Sequence, residues 1–378
     1  MTSSLSKLLL SFHFMRGGIN CLTFFLCCSI LGLSDRCYRQ FVLTILRGYG
    51  DLERIRGNYV RRTPALGRLA KDKKMKITTK QFQILTDINL VWDFLVETYD
   101  WKKDSGRPAP FFEHAIKASW MDSSYSFLDR IWFDGDKVIA FVYYEAPVTD
   151  IYFNVRKGYE FLADELIDYA VTKMPSFGNN QQLILFDGQQ FLKDAAAKRG
   201  FNQVYECTDM IFDFKNELNY ALPKDYHFVE SEDVDICKLS KLCWYGFDHG
   251  DKGDFININK YDDSLDWSPA KSHKDCLSDW NAPLPHSTHQ YDIVIADKNE
   301  EYVCFSGMWW IPENKLAYME PLCTSPEHRK KGLAAAALTK HYHRMKALGA
   351  SHMTGGENLF YKKIGYENGY HLTFWKMN

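Results

Sequence analysis

The chain has 378 residues, enough for two domains or three at ~100–200 residues each. Its composition, 46% hydrophobic and 25% charged, excludes a wholly disordered, collagen-like or membrane-embedded chain. A net charge of −2 leaves no protein-wide basic field for nucleic acid. The ten cysteines contain no Cys-x-x-Cys pair and no regular framework, so free thiols in a reducing compartment, the cytoplasm, are expected.

Residues 1–74 differ from the rest of the chain. They hold 13 Lys and Arg against 4 Asp and Glu, a net of +9, whereas the remainder nets −11. The apolar stretch from Cys21 to Leu33 is shorter than the ~20 residues a membrane span needs. It resembles a signal-peptide core but lacks a clear small-x-small cleavage site, and an Arg-rich, acid-poor start also suits an organelle transit peptide. A third reading is a poorly structured leader or a mis-assigned start, with the folded protein beginning at Met75. No membrane role is expected outside this leader.

Residues 75–221 then alternate strands and helices. Lys76–Thr78 reads as a short strand, and residues 88–120 as helical. A hairpin joins Phe127–Phe133 to Val138–Glu145 through Asp134-Gly135-Asp136. Ile151–Asn154 is a third strand and Tyr159–Met174 a long helix. Leu183–Phe186 is a strand, Gln190–Arg199 a helix closed by Gly200, and Phe201–Phe214 the final strand.

Residues 222–378 repeat that order. Tyr226–Val229 is a strand, and Val234–Phe247 has helical spacing at Ile236, Leu239, Leu242 and Cys243. A long acidic loop runs from Asp248 to about Trp267. Tyr291–Ala296 and Tyr302–Trp310 form a hairpin, and Leu316–Cys323 is the third strand. After Pro326, Lys331–Leu348 reads as a helix stopped by Gly349. Ser351–Thr354, a short helix over Asn358–Lys363 and a strand over His371–Lys376 complete the half. Each half is long enough for its own core, so a duplicated α+β domain is expected, with a mixed, mostly antiparallel sheet flanked by helices.

The segment richest in chemistry is Arg329-Lys330-Lys331-Gly332-Leu333-Ala334, where a strand runs out through a proline turn into a helix of small residues. A helix N-terminus offers free N–H groups and a positive dipole end, so it suits a phosphate. Gly332 and Ala334 allow a close backbone approach, and the basic residues add charge. The bland alternative is an exposed basic helix start with an alanine-packed face.

The spacing Arg-x-x-Gly-x-Ala after a Pro-ended strand resembles the acyl-CoA motif of the GNAT superfamily of N-acetyltransferases. Phe360-Tyr361-Lys362-Lys363-Ile364-Gly365-Tyr366 is similar to a second signature of that family, and the two occur in the family's order. The resemblance covers about residues 222–378, and the stretch from Trp244 to Met319 resembles a bacterial subgroup built from two tandem GNAT-like domains. It implies acetyl-CoA as co-substrate, with no metal, lying in a V-shaped opening between the third and fourth strands of the second half. The backbone of Leu322, Cys323 and Thr324 would pair with the pantetheine arm. The N–H groups from Lys330 to Ala334 would hold the pyrophosphate, with Arg329, Lys330 and Lys331 adding charge. Tyr361 would protonate the leaving thiolate, and Glu320 would act as base, unless it only orients a neighbour while water relays the proton. Thr354 stands where many members carry a cofactor-contacting Asn.

In the first half, Asn154-Val-Arg-Lys-Gly-Tyr-Glu-Phe161 lacks the Arg-x-x-Gly-x-Gly/Ala spacing, and Tyr159 and Glu160 occupy the mouth. Ala196-Ala-Lys-Arg-Gly-Phe201 keeps the family's Gly-Phe but has no tyrosine. This half is expected to be a degenerate copy that helps shape the acceptor cleft. For the acceptor, Asp248, Asp251, Asp254, Asp262, Asp263 and Asp266, interleaved with Trp244, Tyr245, Phe247, Phe255 and Trp267, suit a cationic amine or are simply a solvated acidic loop. His341 and His343, two apart on one helix, cannot share a face and are read as surface residues; Cys323 is read as a semi-buried thiol. The expected function is acetyl transfer to a primary amine by direct attack. The competing reading is a non-catalytic CoA-binding or protein-interaction module on the same fold.

Overall fold

The computed structural model describes residues 75–103, 105–260 and 267–377; the expectations for residues 1–74, and for Asp262, Asp263 and Asp266, lie outside these. Among the described residues, twelve strands form one sheet. The first six are β1 (Ile77–Gln81), β2 (Arg130–Asp134), β3 (Lys137–Tyr144), β4 (Asp150–Val155), β5 (Gln182–Phe186) and β6 (Phe201–Asp213). They are followed by β7 (Tyr226–Val229), β8 (Ile293–Asp297), β9 (Tyr302–Ile311), β10 (Leu316–Thr324), β11 (His352–Thr354) and β12 (Glu367–Met377). Helices α1 (Ile84–Thr98), α2 (Ala109–Lys117), α3 (Ala163–Lys173) and α4 (Gln190–Lys198) flank the first six strands. The others are α5 (Ile236–Gly246), α6 (Pro269–Asn281), α7 (Leu333–Leu348) and α8 (Leu359–Lys363). All neighbouring strands run antiparallel except β4 with β5 and β10 with β11.

Both runs of the chain follow the expected order, with two differences. The helical material of residues 88–120 is two helices, because Pro108 ends an extended stretch and opens α2. Within the region after the acidic loop, Ser268 caps α6 by accepting from the Lys271 N–H at 3.3 Å, and Pro269 sits in its first turn. That cap-plus-proline signature is present in the sequence. The apolar periodicity that would complete it is missing, because α6 is polar nearly all round, with Ser272 its one buried residue.

The strand order is β1-β2-β3-β4-β5-β12-β6-β11-β10-β9-β8-β7. The last strand of the second run, β12, therefore lies between β5 and β6 of the first, and β6 in turn pairs with β11. The two runs exchange their final strands. The expected boundary at 221/222 falls between β6 and β7, but the sheet continues across it, and so does the core. One cluster joins Phe112, Phe141, Ile184 and Phe186 to Trp309, Leu316, Tyr370 and Leu372. Alternation along β12 explains the placement: Leu372 and Tyr370 point into this cluster, where both are buried.

Leu372 is fully buried on β12 opposite Phe186 of β5. Leu372→Ala should therefore destabilise the first run as much as the second, by about 2–5 kcal/mol, the usual range for truncating a buried leucine. Urea unfolding followed by both far-ultraviolet dichroism and tryptophan fluorescence should give one shifted transition. A split transition in which only one part moves would contradict the shared core.

Candidate active site

The pairing of β10 with β9 runs regularly to Met319 opposite Met308 and resumes at Leu322 opposite Ser306. Glu320 and Pro321 thus face Gly307 alone, a β-bulge of two residues against one. Only glycine fits there: a Cβ on residue 307 would lie 2.3 Å from the Glu320 carbonyl oxygen. On its other edge β10 pairs with β11 only at Leu316 and Ala317. Past that point the strands part, bridged by the Thr354 hydroxyl, which accepts from the Met319 N–H at 2.8 Å. Beyond the bridge, Leu322, Cys323 and Thr324 keep β9 on one side and pair with no strand on the other among the described residues.

The chain leaves β10 through Pro326 and a tight turn in which Lys330 (φ 61°) and Gly332 (φ 88°) have left-handed backbones. Gly332 caps α7, whose helical hydrogen bonding begins with Ala336 N–H to Gly332 O at 3.0 Å. The N–H groups of Leu333, Ala334 and Ala335 therefore have no partner within the helix. A Cβ on Gly332 would meet nothing within 4 Å, so the space in front of this turn is open. Lys331 and Gly332 are exposed there. Arg329 turns away: its guanidinium donates to Thr324 O at 3.1 Å and Gly246 O at 2.9 Å and pairs with Asp248 at 2.8 Å. It fastens the turn to α5.

Tyr361 on α8 is 8% exposed. Its ring lies against Gly355, where a Cβ would come within 2.7 Å of Cδ1. Burial, with smaller contributions from the charges of Asp209 and Glu320, raises its phenol above the ordinary value, so it stays protonated at neutral pH. The same Glu320 accepts a short hydrogen bond from the Tyr318 hydroxyl, as expected for two residues on one strand face. Around them lie groups that the sequence does not single out. Arg107, from the segment before α2, pairs with Asp209 on β6. Glu145, at the end of β3, is pushed up to about 8, by burial first and then by the Glu320 charge. No linear motif marks these residues, since the exchanged strands are what bring them together.

Two expectations for side chains change. His341 is not at the surface; it is fully buried on α7, with Nε2 3.2 Å from the Ser306 carbonyl, and burial pushes its imidazole down to about 3. His343, on the other face, is exposed. Cys323 is buried against Gly246.

The corresponding places in the first run are occupied by the protein itself. β4 and β5 part after Tyr152. There the buried Gln189 side chain donates to Phe153 O at 2.7 Å and to Ser105 O at 3.1 Å, and Asn154 donates to Arg107 O at 3.1 Å. At the following turn the Glu160 carboxylate accepts from the Gly158 N–H at 2.9 Å, so a side-chain anion already takes a turn N–H there, although a Cβ on Gly158, as on Gly332, would meet nothing within 4 Å.

A cavity of about 520 Å3 reaches Glu320 and Pro321 from the β9 side. Phe247, His249 and Trp267 line it from the expected acidic loop. Its carboxylates come from elsewhere, from Asp275 and Asp279 on α6 and from Asp292 before β8. His114 and Trp120 reach it from the first run.

Residues 257–366 match the model of the acetyltransferase (GNAT) family. No curated protein matches the chain. Among solved structures, a GNAT-family acetyltransferase from Colwellia psychrerythraea shares 9% identity, with a TM-score of 0.50, over 80% of this chain and all of that one. A tandem GNAT protein from the clavulanic acid biosynthesis pathway is 11% identical over 80% of this chain and 99% of that one, with a TM-score of 0.47. A GCN5-related N-acetyltransferase from Sphaerobacter thermophilus is 9% identical over 79% and 95%, with a TM-score of 0.48. At these identities the likeness concerns the fold, whereas the family match falls on the segment that contains the parted strands, the Arg329–Ala334 turn and Tyr361. The chain therefore carries, in its second half, an acetyltransferase domain of the GNAT superfamily.

Proposed function

We propose that the protein transfers an acetyl group from acetyl-CoA to a primary amine, with acetyl-CoA held by the second half alone. The observation that carries this reading is the contrast between two equivalent openings. The free edge of β10 at Leu322–Thr324 leads straight to an open, cation-flanked helix N-terminus. The opening in the first half is filled by Gln189, and its turn carries the Glu160 carboxylate, an anion that would repel a phosphate. The edge of β10 supplies backbone groups for the amide-bearing pantetheine arm. The N–H groups of Leu333, Ala334 and Ala335 and the charges of Lys330 and Lys331 receive the pyrophosphate.

The chemistry assigned to the chain's own residues is acid–base. Glu320 takes the proton that the attacking ammonium must lose. The neutral nitrogen attacks the thioester carbonyl; the C–N bond forms and the C–S bond breaks. Tyr361 gives its proton to the departing sulfur. Its raised ionisation keeps the hydroxyl protonated at neutral pH, so the proton is in place when the thiolate forms. Arg107, paired with Asp209, places a fixed positive charge near Glu145 and Glu320 and moderates their mutual repulsion. Release of free thiol from acetyl-CoA, measured against a panel of primary amines, tests the reading directly; no amine-dependent release from any member would favour a non-catalytic CoA-binding module.

Calorimetric titration with acetyl-CoA should give one site per chain. Gly332→Glu should abolish it, because the residue must keep its left-handed backbone and the new carboxylate would face the phosphates. Two sites, or a site that survives the substitution, would contradict the assignment. Tyr361→Phe should lower kcat by ~10²–10⁴-fold while leaving acetyl-CoA affinity nearly unchanged. An unchanged kcat, with the chemical step shown to be rate-limiting, would remove Tyr361 from the mechanism.

A further inference from the structure

The cavity beside Glu320 carries two separate acidic centres. Asp275 and Asp279 lie one turn apart on α6 and so share a face, and Asp292 faces them across the cavity wall. The Asp279 charge acts on both of the others. Glu320 does not enter that group; its charge acts on Glu145, Tyr318 and Tyr361 instead. Trp120, Trp280 and Trp309 are among the other lining residues.

The polar groups of this wall are incompletely matched. Asp275 accepts from the Ser119 N–H, at 3.0 and 3.1 Å, and Asp292 from the Met308 N–H at 2.7 Å. Lys117 lies 3.7 Å from Asp279, but its ammonium also donates to the Ser278 carbonyl at 2.9 Å. His114, His289 and Arg344 act on the aspartates only through space. His289 itself lines the cavity, and its buried Nδ1 has no hydrogen-bond partner. Burial is the chief reason that Asp275 is pushed up to about 6 and that Asp279 and Asp292 are also raised. Three half-desolvated carboxylates thus line a space large enough for a small organic molecule.

We infer that the acceptor is a linear aliphatic diamine, with one ammonium held by Asp275, Asp279 and Asp292, the alkyl spacer between the tryptophans, and the other amine presented at Glu320. This rests on the acetyl-transfer reading for the role of the second amine, but the binding site itself does not. A monoamine would satisfy one acidic centre and leave the other bare. An ammonium also gains from the tryptophan faces, which attract cations, and the methylene chain gains from apolar burial.

The test compares 1,5-diaminopentane with 1-aminopentane on the full chain, by calorimetry without acetyl donor and by thiol release with acetyl-CoA. The diamine should bind at least about tenfold more tightly, the ratio that ~1.4 kcal/mol gives. Asp279→Asn should remove most of that preference, weakening diamine binding far more than 1-aminopentane binding. It should change the melting temperature little, since the Asp279 side chain is half exposed and Lys117, 3.7 Å away, keeps its bond to the Ser278 carbonyl. Equal affinity for the two amines, or an Asp279→Asn variant that keeps the full preference, would overturn the inference. Thiol release with both amines but no binding preference would overturn it while leaving acetyl transfer standing. Preferential diamine binding that Asp279→Asn abolishes, without thiol release, would uphold the site and contradict acetyl transfer.

Discussion

The site depends on one steric fact, that residue 307 has no side chain. Because Gly307 lets the Glu320 carbonyl come where a Cβ would stand, β10 can fit two residues opposite one. The bulge re-aims Glu320 toward the cavity mouth while Tyr318 still reaches it by hydrogen bond. The parting of β10 from β11, only two pairs into their contact, does the rest. It leaves Leu322–Thr324 without a neighbouring strand on that side among the described residues, with only the Thr324 carbonyl taken, by Arg329. Unpaired strand edges are costly and are normally covered, so an edge left without a strand that leads to a helix start with free N–H groups is best explained by a ligand that pairs with it.

The first run shows how the same topology is closed. Its parallel pair also separates, yet Gln189 satisfies the buried Phe153 carbonyl and Glu160 accepts from the Gly158 N–H of the turn. Two side chains are enough to convert a binding cleft into packed structure. This half then serves the other by contact. The exchange of β6 and β12 ties the two sets of strands into one sheet, sets Asp209 and Arg107 beside Tyr361 and Glu320, and brings His114 and Trp120 to the acceptor cavity.

Much of this is legible in the sequence, and the exceptions have physical causes. Hairpins such as β2–β3, with their Asp134-Gly135-Asp136 turn, are local and announce themselves. The Arg329–Ala334 turn and Tyr361 are linear motifs, and the structure puts both at the parted strands. The strand exchange is not legible, because alternation along β12 says which face of Leu372 is buried but not which neighbour covers its edges. His341 reads as a surface residue because a polar side chain on an alanine-rich helix gives no sign that a carbonyl, here Ser306, waits for it inside. Charge density points to residues 248–267 for the acidic wall of the cavity, yet Asp248 is spent on Arg329. The carboxylates that line the space come largely from α6, whose low apolar content hides it as a helix.

Hydrogen exchange of the full chain, with and without acetyl-CoA, bears most directly on the central claim that a single open strand edge and helix N-terminus receive the acyl donor. Peptides covering Leu322–Thr324 and Leu333–Ala335 should gain protection when acetyl-CoA is added, and peptides covering Phe153–Val155 and Gly158–Ala163 should not change. Protection in the first-run peptides, or none at Leu333–Ala335, would contradict the account.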